Sequence, residues 1–263
     1  MHRFHLSRVV AGATVIFAVG PTLLVLISSF SGSKTLSFPP HDISLRAYGS
    51  FLEDDVIRAA LWRSLQVGVL SVLIAVPAGV AAAFGLTRYR PKGRTFLSAL
   101  LLLGLASPLV VSGVALLVLY THAGLIGSVW PLAAGVSIVN LPFVVALVSS
   151  AIDDANPELE EAAATLGAEP LEQFLFVTLP GVMPGIIAAA LLLFVFGITD
   201  FMISILVATV RNATLPVVVF GSLRGGLTPR LAAVGGIYIV IAFVVVGALS
   251  RTGMLHRFFF RED

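Results

Sequence analysis

Six long, predominantly apolar runs constrain this chain more than any other feature. They cover Val9–Phe30, Leu61–Leu86, Phe96–Tyr120, Val129–Ala151, Val182–Ala208 and Leu231–Ser250. About 20 apolar residues in a helix cross a hydrocarbon core of ~30 Å. Backbone in lipid must satisfy its own hydrogen bonds, which leaves helices and closed barrels. A barrel needs alternating strands of about ten residues, whereas these runs are continuous and about twice as long. The expected fold is therefore all-α, a polytopic protein with six transmembrane helices. Only 11% of residues are charged and 58% are hydrophobic, against about 25% charged in a soluble domain. The first run follows Arg3 and Arg8 as a signal peptide would, but it has 22 residues and no small-x-small site before Gly32. An uncleaved first span is the expectation. Pro21, Pro77, Pro108, Pro131 and Pro142 predict kinks, and Gly79-Val-Ala-Ala-Ala-Phe-Gly85 predicts close helix approach.

Several function classes lack raw material. There is no cysteine, so disulfides and thiolate metal sites are excluded. No metal site is expected. A net charge of +2 without a basic cluster gives nucleic acid no footprint. His2, His5, His41, His122 and His256 lie in tails or loops, and no H-E-x-x-H or G-x-S-x-G occurs. With no nucleophile–base pair in reach, no catalytic residue is expected. Ser31-Gly-Ser-Lys-Thr35 is not a phosphate loop, because it lacks the glycine before lysine. If the chain pumps, another chain must bind ATP. A self-contained channel or secondary transporter usually carries several polar residues in its spans; this chain carries one deep acid.

Arg88, Arg90, Lys92 and Arg94 fill the short loop after the second run, Arg3 and Arg8 precede the first, and Arg251, Arg257 and Arg261 follow the last. The positive-inside rule puts these segments, and both termini, in the cytoplasm. The loop 152–181 then faces the same side, and 31–60, 121–128 and 209–230 face outward. Leu215–Phe220 is too short to span and suits a short helix, a re-entrant piece of an external gate or a surface loop. The organisation expected is an amino-terminal helix with its connector (1–60), a five-helix core (61–250) and a cytoplasmic tail (251–263).

The loop 152–181 is unusual. Asp153, Asp154, Glu158, Glu160, Glu161, Glu169 and Glu172 make it acidic, and it has no Lys or Arg. Asn156-Pro157 starts a helix. Leu159, Ala162, Ala163 and Leu166 recur at helical spacing to give an apolar face, and Gly167 stops the helix. Glu169-Pro170 starts a second helix bearing Leu171, Phe174 and Leu175, which Leu179-Pro180 ends before Pro184 opens the next span. Anionic lipid would repel such a surface. Either it docks onto a protein or it is a solvated cap on the bundle. Asp200, in Thr199-Asp-Phe-Met-Ile-Ser204, is the deep acid, eight residues before the end of its run. It suits a cation contact on a solute path, with Thr199 and Ser204 beside it, or a structural hydrogen bond or interhelical ion pair.

The spacing Glu161-Ala162-Ala163-xxx-Gly167-x9-Val177-x-Leu179-Pro180 resembles the EAA motif of membrane subunits of binding-protein-dependent ABC importers, departing only in Val177 for the commoner isoleucine. The resemblance extends from about Ser64 to Leu249 and implies the MetI-like permease fold. It implies a coupling helix near 157–167 set in a groove of an ATPase subunit, with Glu160, Glu161, Ala162, Ala163, Leu166, Gly167, Leu179 and Pro180 as coupling residues. It also implies partners: an ATPase dimer holding ATP and Mg, a second homologous permease and an external solute-binding protein. Thr199-Asp-Phe-x-Ile-Ser204, Thr214-Leu-Pro-Val217, Leu227-Thr-Pro229, Val177-Thr-Leu-Pro-Gly-x-Met-Pro-Gly185, Phe38-Pro-Pro and Ser44-Leu-x-x-Tyr48 resemble the second permease of spermidine/putrescine importers. The implied cargo is a small cation such as a polyamine, with an aminophosphonate, opine or amino-acid-like solute as alternatives.

Overall fold

The structure, a computed structural model, describes residues 2–33, 38–40, 42–224, 226 and 228–251. Lys34, Leu227 and the tail beyond Arg251, with Arg257 and Arg261, lie outside the described residues. Twelve α-helices make up the described chain: α1 (His2–Ser29), α2 (Arg46–Glu53), α3 (Asp55–Phe84), α4 (Arg94–Ala106), α5 (Leu109–His122), α6 (Val129–Asp153), α7 (Pro157–Thr165), α8 (Pro170–Gln173), α9 (Leu179–Thr199), α10 (Met202–Val207), α11 (Leu215–Leu223) and α12 (Pro229–Arg251). Extended structure among them is limited to one bridge between Ser31 and Ile43. Five helical segments are long and apolar enough to cross a membrane, and a sixth span exists if the bent pair α4–α5 counts as one.

Two of the expected spans are not single helices. Phe96–Tyr120 is split into α4 and α5, which meet at 99°. Pro108 is the cause. It forces Ser107 into extended backbone, with φ −70° and ψ 132°, since the proline ring excludes the helical conformation of its predecessor. Val182–Ala208 is also interrupted, because α9 ends at Thr199 and α10 begins at Met202. A third departure runs the other way. Leu179-Pro180 does not end a helix: α8 passes through a π turn at Phe174–Thr178 straight into α9, giving a continuous apolar helix from Pro170 to Thr199. A π turn widens the ladder just before proline, where the missing donor and the ring would otherwise disrupt it. A second π turn, Gly85–Tyr89, prolongs α3 to a continuous 35 residues. Arg90, at φ 42°, then turns the chain.

Packing divides the chain into two units, residues 1–61 with 217–244 and residues 62–216 with 245–263. In the first, Phe51 is buried on α2, the Tyr48 and Ser29 hydroxyls share a 2.7 Å hydrogen bond, and Asp54 caps α3 while pairing with Arg230. The second is built on α6, packed most extensively against α9. Leu132, Val136, Val144, Val148, Val182, Ala189 and Leu193 form its fully buried centre. Small residues set the close approaches: Gly68 against Gly197 and Gly79 against Val144. Ser71 Oγ donates to Ala133 O at 3.2 Å and Ser137 Oγ to Ser71 O at 3.2 Å, which ties α3 to α6. Without a hydrophobic drive between helices in lipid, such close packing and polar ties hold a bundle together. No residue of α4 is fully buried; it leans on α6 through partly buried Leu101 and through Gly104, which lies against Pro142.

Candidate functional site

The start and stop of α7 and the restart at Glu169 fall where the sequence punctuation predicts. Asn156 Oδ1 accepts the Glu158 N–H at 2.9 Å, and Pro157 occupies the first turn of α7. Glu158 and Glu160 lie in that turn, where carboxylates meet the positive end of the helix dipole. At the other end Gly167 sits at φ +89°. Ala168 N–H donates to Ala163 O at 3.1 Å and Gly167 N–H to Ala164 O at 3.0 Å, the paired bonds of a Schellman stop. Glu169 then starts α8, its N–H bonded to the Glu172 carboxylate at 3.0 Å.

The apolar face of α7 is left uncovered by its own chain. Leu159 is 60% exposed and Leu166 88% exposed, and Ala162 is exposed with them. Leu171 and Phe176 add further exposed apolar surface on the following turns. Glu161 is exposed, while Ala163 and Glu160 are the partly covered positions of the helix. The expected grouping of Ala163 with Leu159 and Leu166 therefore separates: Ala163 lies on the covered side.

Glu160 holds α7 in place. Its Oε1 accepts hydrogen bonds from Arg88 Nη2 and, at 2.8 Å, from Thr178 Oγ1. Arg88 stands on the π turn that ends α3 and Thr178 on the π turn that begins α9. Phe84 and Phe174 meet edge to face at 5.1 Å between the same two segments. Beside them lies a cleft of about 410 Å³ lined by Thr87, Arg88, Arg90, Asp153 and Pro157 among others. No sequence signal marks the Arg88 tie, because Arg88 is one of several loop cations and stands 72 positions from its partner. Leu179 and Pro180 form the first turn of α9, directly after Thr178.

Asp200 stands in the break between α9 and α10, partly buried. Its carboxylate accepts the Ser204 N–H at 2.9 Å and, more weakly, the Ile203 N–H at 3.5 Å. It thus serves the first turn of α10, two of whose N–H groups it satisfies. Ser204 is fully buried beside it. Thr199 is exposed and donates back to Val195 O at 2.7 Å. Asp200 and Ser204 are brought together, then, and the Thr199 hydroxyl is spent on its own helix. Two further polar pins went unnoticed in the sequence. Buried Asn212 accepts from Thr209 N–H and Oγ1 at 2.6 and 2.7 Å and donates to Ser128 O at 2.7 Å. Arg63 donates to Ala213 O at 2.8 Å, and Ser64 Oγ accepts the Leu215 N–H at 2.9 Å. Together they fasten the segment 209–215 to α3 and to the loop before α6. Among the described residues no group of His, Asp or Glu is arranged to hold a metal.

Long apolar helices, interrupted by a surface helix with an uncovered apolar ridge, make up a polytopic helical membrane protein. The family model described as "Binding-protein-dependent transport system inner membrane component" matches residues 75–257, and the chain belongs to that family, the permease subunits of ABC importers. It is 32% identical over 248 residues to the putrescine transport system permease protein PotI of Escherichia coli K12, covering 91% of this chain and 85% of that one. It is 28% identical over 226 residues to the spermidine/putrescine transport system permease protein PotC of the same organism, covering 86% and 85%. These relatives are permeases, not enzymes. Among solved structures, a bacterial alginate ABC transporter in complex with an alginate pentasaccharide-bound periplasmic protein matches with a TM-score of 0.69 at 17% identity, over 97% of this chain and 95% of that one. The MetNI methionine ABC transporter matches at 0.61 and 18%, over 74% and 93%. At such identity these two speak for the MetI-like fold alone.

Proposed function

We propose that this chain is one half of the pore of an importer for a small organic cation, of which a polyamine is the leading candidate, and that α7 is its coupling helix. The observation that carries the coupling role is the uncovered ridge Leu159–Ala162–Leu166 on a helix with a rigid glycine stop. An exposed leucine buried on docking gains about 2 kcal/mol, and the surrounding carboxylates keep this surface off anionic lipid. Glu161, Ala162, Leu166 and Gly167 face the ATPase on this reading. Glu160, Ala163, Leu179 and Pro180 support the helix from behind.

The complex holds two ATPase subunits that bind ATP and Mg, a second homologous permease and an external solute-binding protein. Residues 61–250 form the permease core and both termini lie in the cytoplasm, as the cationic loop 88–94 favours. Closing of the ATPase dimer on ATP draws the coupling helices together and opens the bundle outward to receive cargo. Hydrolysis returns it inward. Asp200, with Thr199 and Ser204, lines the solute path. Support for the cargo comes from the similarity to PotI and PotC over most of the chain and from an anionic carboxylate at a helix break in a membrane span.

The test is reconstitution of the complete importer in liposomes. Putrescine or spermidine uptake should depend on ATP and on the binding protein, and Leu166→Asp should abolish capture of the ATPase by the permease. ATPase capture undiminished by Leu166→Asp sinks the coupling assignment. ATP-driven uptake of an aminophosphonate or amino acid with no polyamine uptake sinks the cargo assignment alone.

A further inference from the structure

We infer that Glu160 is the strut through which α7 moves the transmembrane bundle, a role distinct from that of the exposed Glu161 beside it. The inference rests on α7 being the coupling helix. A helix pushed by a partner moves a bundle only if it is fixed to it. Covalently, α7 is joined through the short turn 154–156 and through the chain that turns at Gly167, and neither link reaches α3 or the start of α9. Its side-chain ties from first-turn Glu160 are to Arg88 and Thr178, which meet on one carboxylate oxygen.

The two anchor points have a common character. Each lies in a π turn, at the cytoplasmic end of α3 for Arg88 and at the start of α9 for Thr178. Thr178 is 7% exposed, and Phe84 packs on Phe174 one turn away from the anchors. A single oxygen therefore joins three elements: α7, the long helix α3 and the long helix α9. Both long helices run from these turns into the core at α6. A rigid push on α7 reaches both at once, and a π turn is a place where the helical ladder already yields. Charge-assisted bonds to one acceptor are stronger than neutral ones, which suits a part that must carry load in both directions of a cycle. Glu161, one position on, is exposed and makes no such tie to the bundle.

The chain has no cysteine, so a spin label can be placed at Ile187→Cys in the middle of α9. In the assembled importer, trapping with ATP and vanadate should change the label's spectrum. With Glu160→Ala or Arg88→Ala the complex should still hydrolyse ATP, but the spectral change should shrink roughly tenfold, the scale set by losing a charged hydrogen bond. Putrescine uptake per ATP hydrolysed should fall with it. Exchange of the pair, Arg88→Glu with Glu160→Arg, should restore most of the response, which a loss of folding would not allow. Glu161→Ala should leave the spectral change per ATP hydrolysed intact. A full response in Glu160→Ala, or no recovery in the exchanged pair, overturns the strut. A wild-type label that ignores nucleotide instead overturns the coupling assignment on which the strut rests.

Discussion

Two interruptions of helix in this chain solve the same problem by opposite means. Between α7 and α8 the chain turns in water. There the unpaired backbone groups are handled by a glycine at φ +89° and by a reciprocal Glu169–Glu172 cap, as Asn156 handles those at the exposed start of α7, with solvent available for the remainder. Between α9 and α10 the chain breaks within an apolar run. No glycine or proline marks that point, and a single carboxylate accepts two backbone N–H groups. Away from water an unmet donor costs several kcal/mol, so a break packed among apolar helices must bring its own acceptor. An acid in a transmembrane segment is thus compatible with purely structural duty, and cargo contact has to be demonstrated separately at Asp200.

The comparison breaks most visibly at the helix crossing that leads into the buried break. A Cβ on Gly197 would lie 2.7 Å from Gly68 Cα, a backbone atom that cannot step aside. Gly197→Val should cost about 3 kcal/mol through overpacking, seen as a marked fall in the thermal unfolding midpoint of the detergent-purified complex. Gly181→Ala, which meets nothing within 4 Å, should leave the midpoint in place. An unchanged midpoint in Gly197→Val would show that α3 and α9 do not approach as closely as the structure has them.

Next in size is the acceptor itself. Asp200→Ala strands the Ser204 and Ile203 donors and should cost about 2 kcal/mol. Asp200→Asn keeps an oxygen that caps nearly as well as the acid, so stability should hold. If the negative charge also meets cargo, Asp200→Asn should raise the putrescine KM roughly tenfold, the scale of one lost charged hydrogen bond. Kinetics identical to wild type in Asp200→Asn would confine Asp200 to its capping role. At the water-facing interruption, Gly167→Val places a β-branched residue at positive φ, a strain of about 1–2 kcal/mol. ATP hydrolysis should persist while uptake per ATP falls severalfold. Normal coupling would mean that the stop at Gly167 does not orient α7.

The same contrast explains what the sequence made legible. The ends of α7 and the start of α8 are legible because their signals are local: Asn-Pro to start, glycine to stop, Glu-Pro to restart. The spans were readable because lipid demands a fixed length of apolar helix. What stayed hidden depends on distant partners or on context within an apolar run. Asp200 looked like a charge in mid-helix because nothing around it breaks helices. Pro180 looked like a stop because a π turn that absorbs a proline has no compositional mark. Pro108 was expected to kink its span, yet only the structure shows a bend of 99°. The Glu160–Arg88 tie joins positions 72 apart, and no spacing rule reaches that far.

The smallest expected effect sharpens the comparison because it repeats the Asp200→Ala change in water. Asn156→Ala removes the side-chain acceptor from the first turn of α7, where Oδ1 takes the Glu158 N–H at 2.9 Å. Both Asn156 and Glu158 are exposed, so water replaces the lost acceptor and the cost should be about 1 kcal/mol or less. Pro157 still sets the first backbone angle, and the Glu160 tie still holds the turn. Hydrogen exchange should quicken at the amides of the first turn of α7 and nowhere in α6 or α9. By the same measurement Asp200→Ala should quicken exchange beyond its own cap, along α10. If the two alanine variants instead produce equal and equally local changes, the surroundings of a helix break matter less than the cap itself, and the distinction between the wet and the buried interruption disappears.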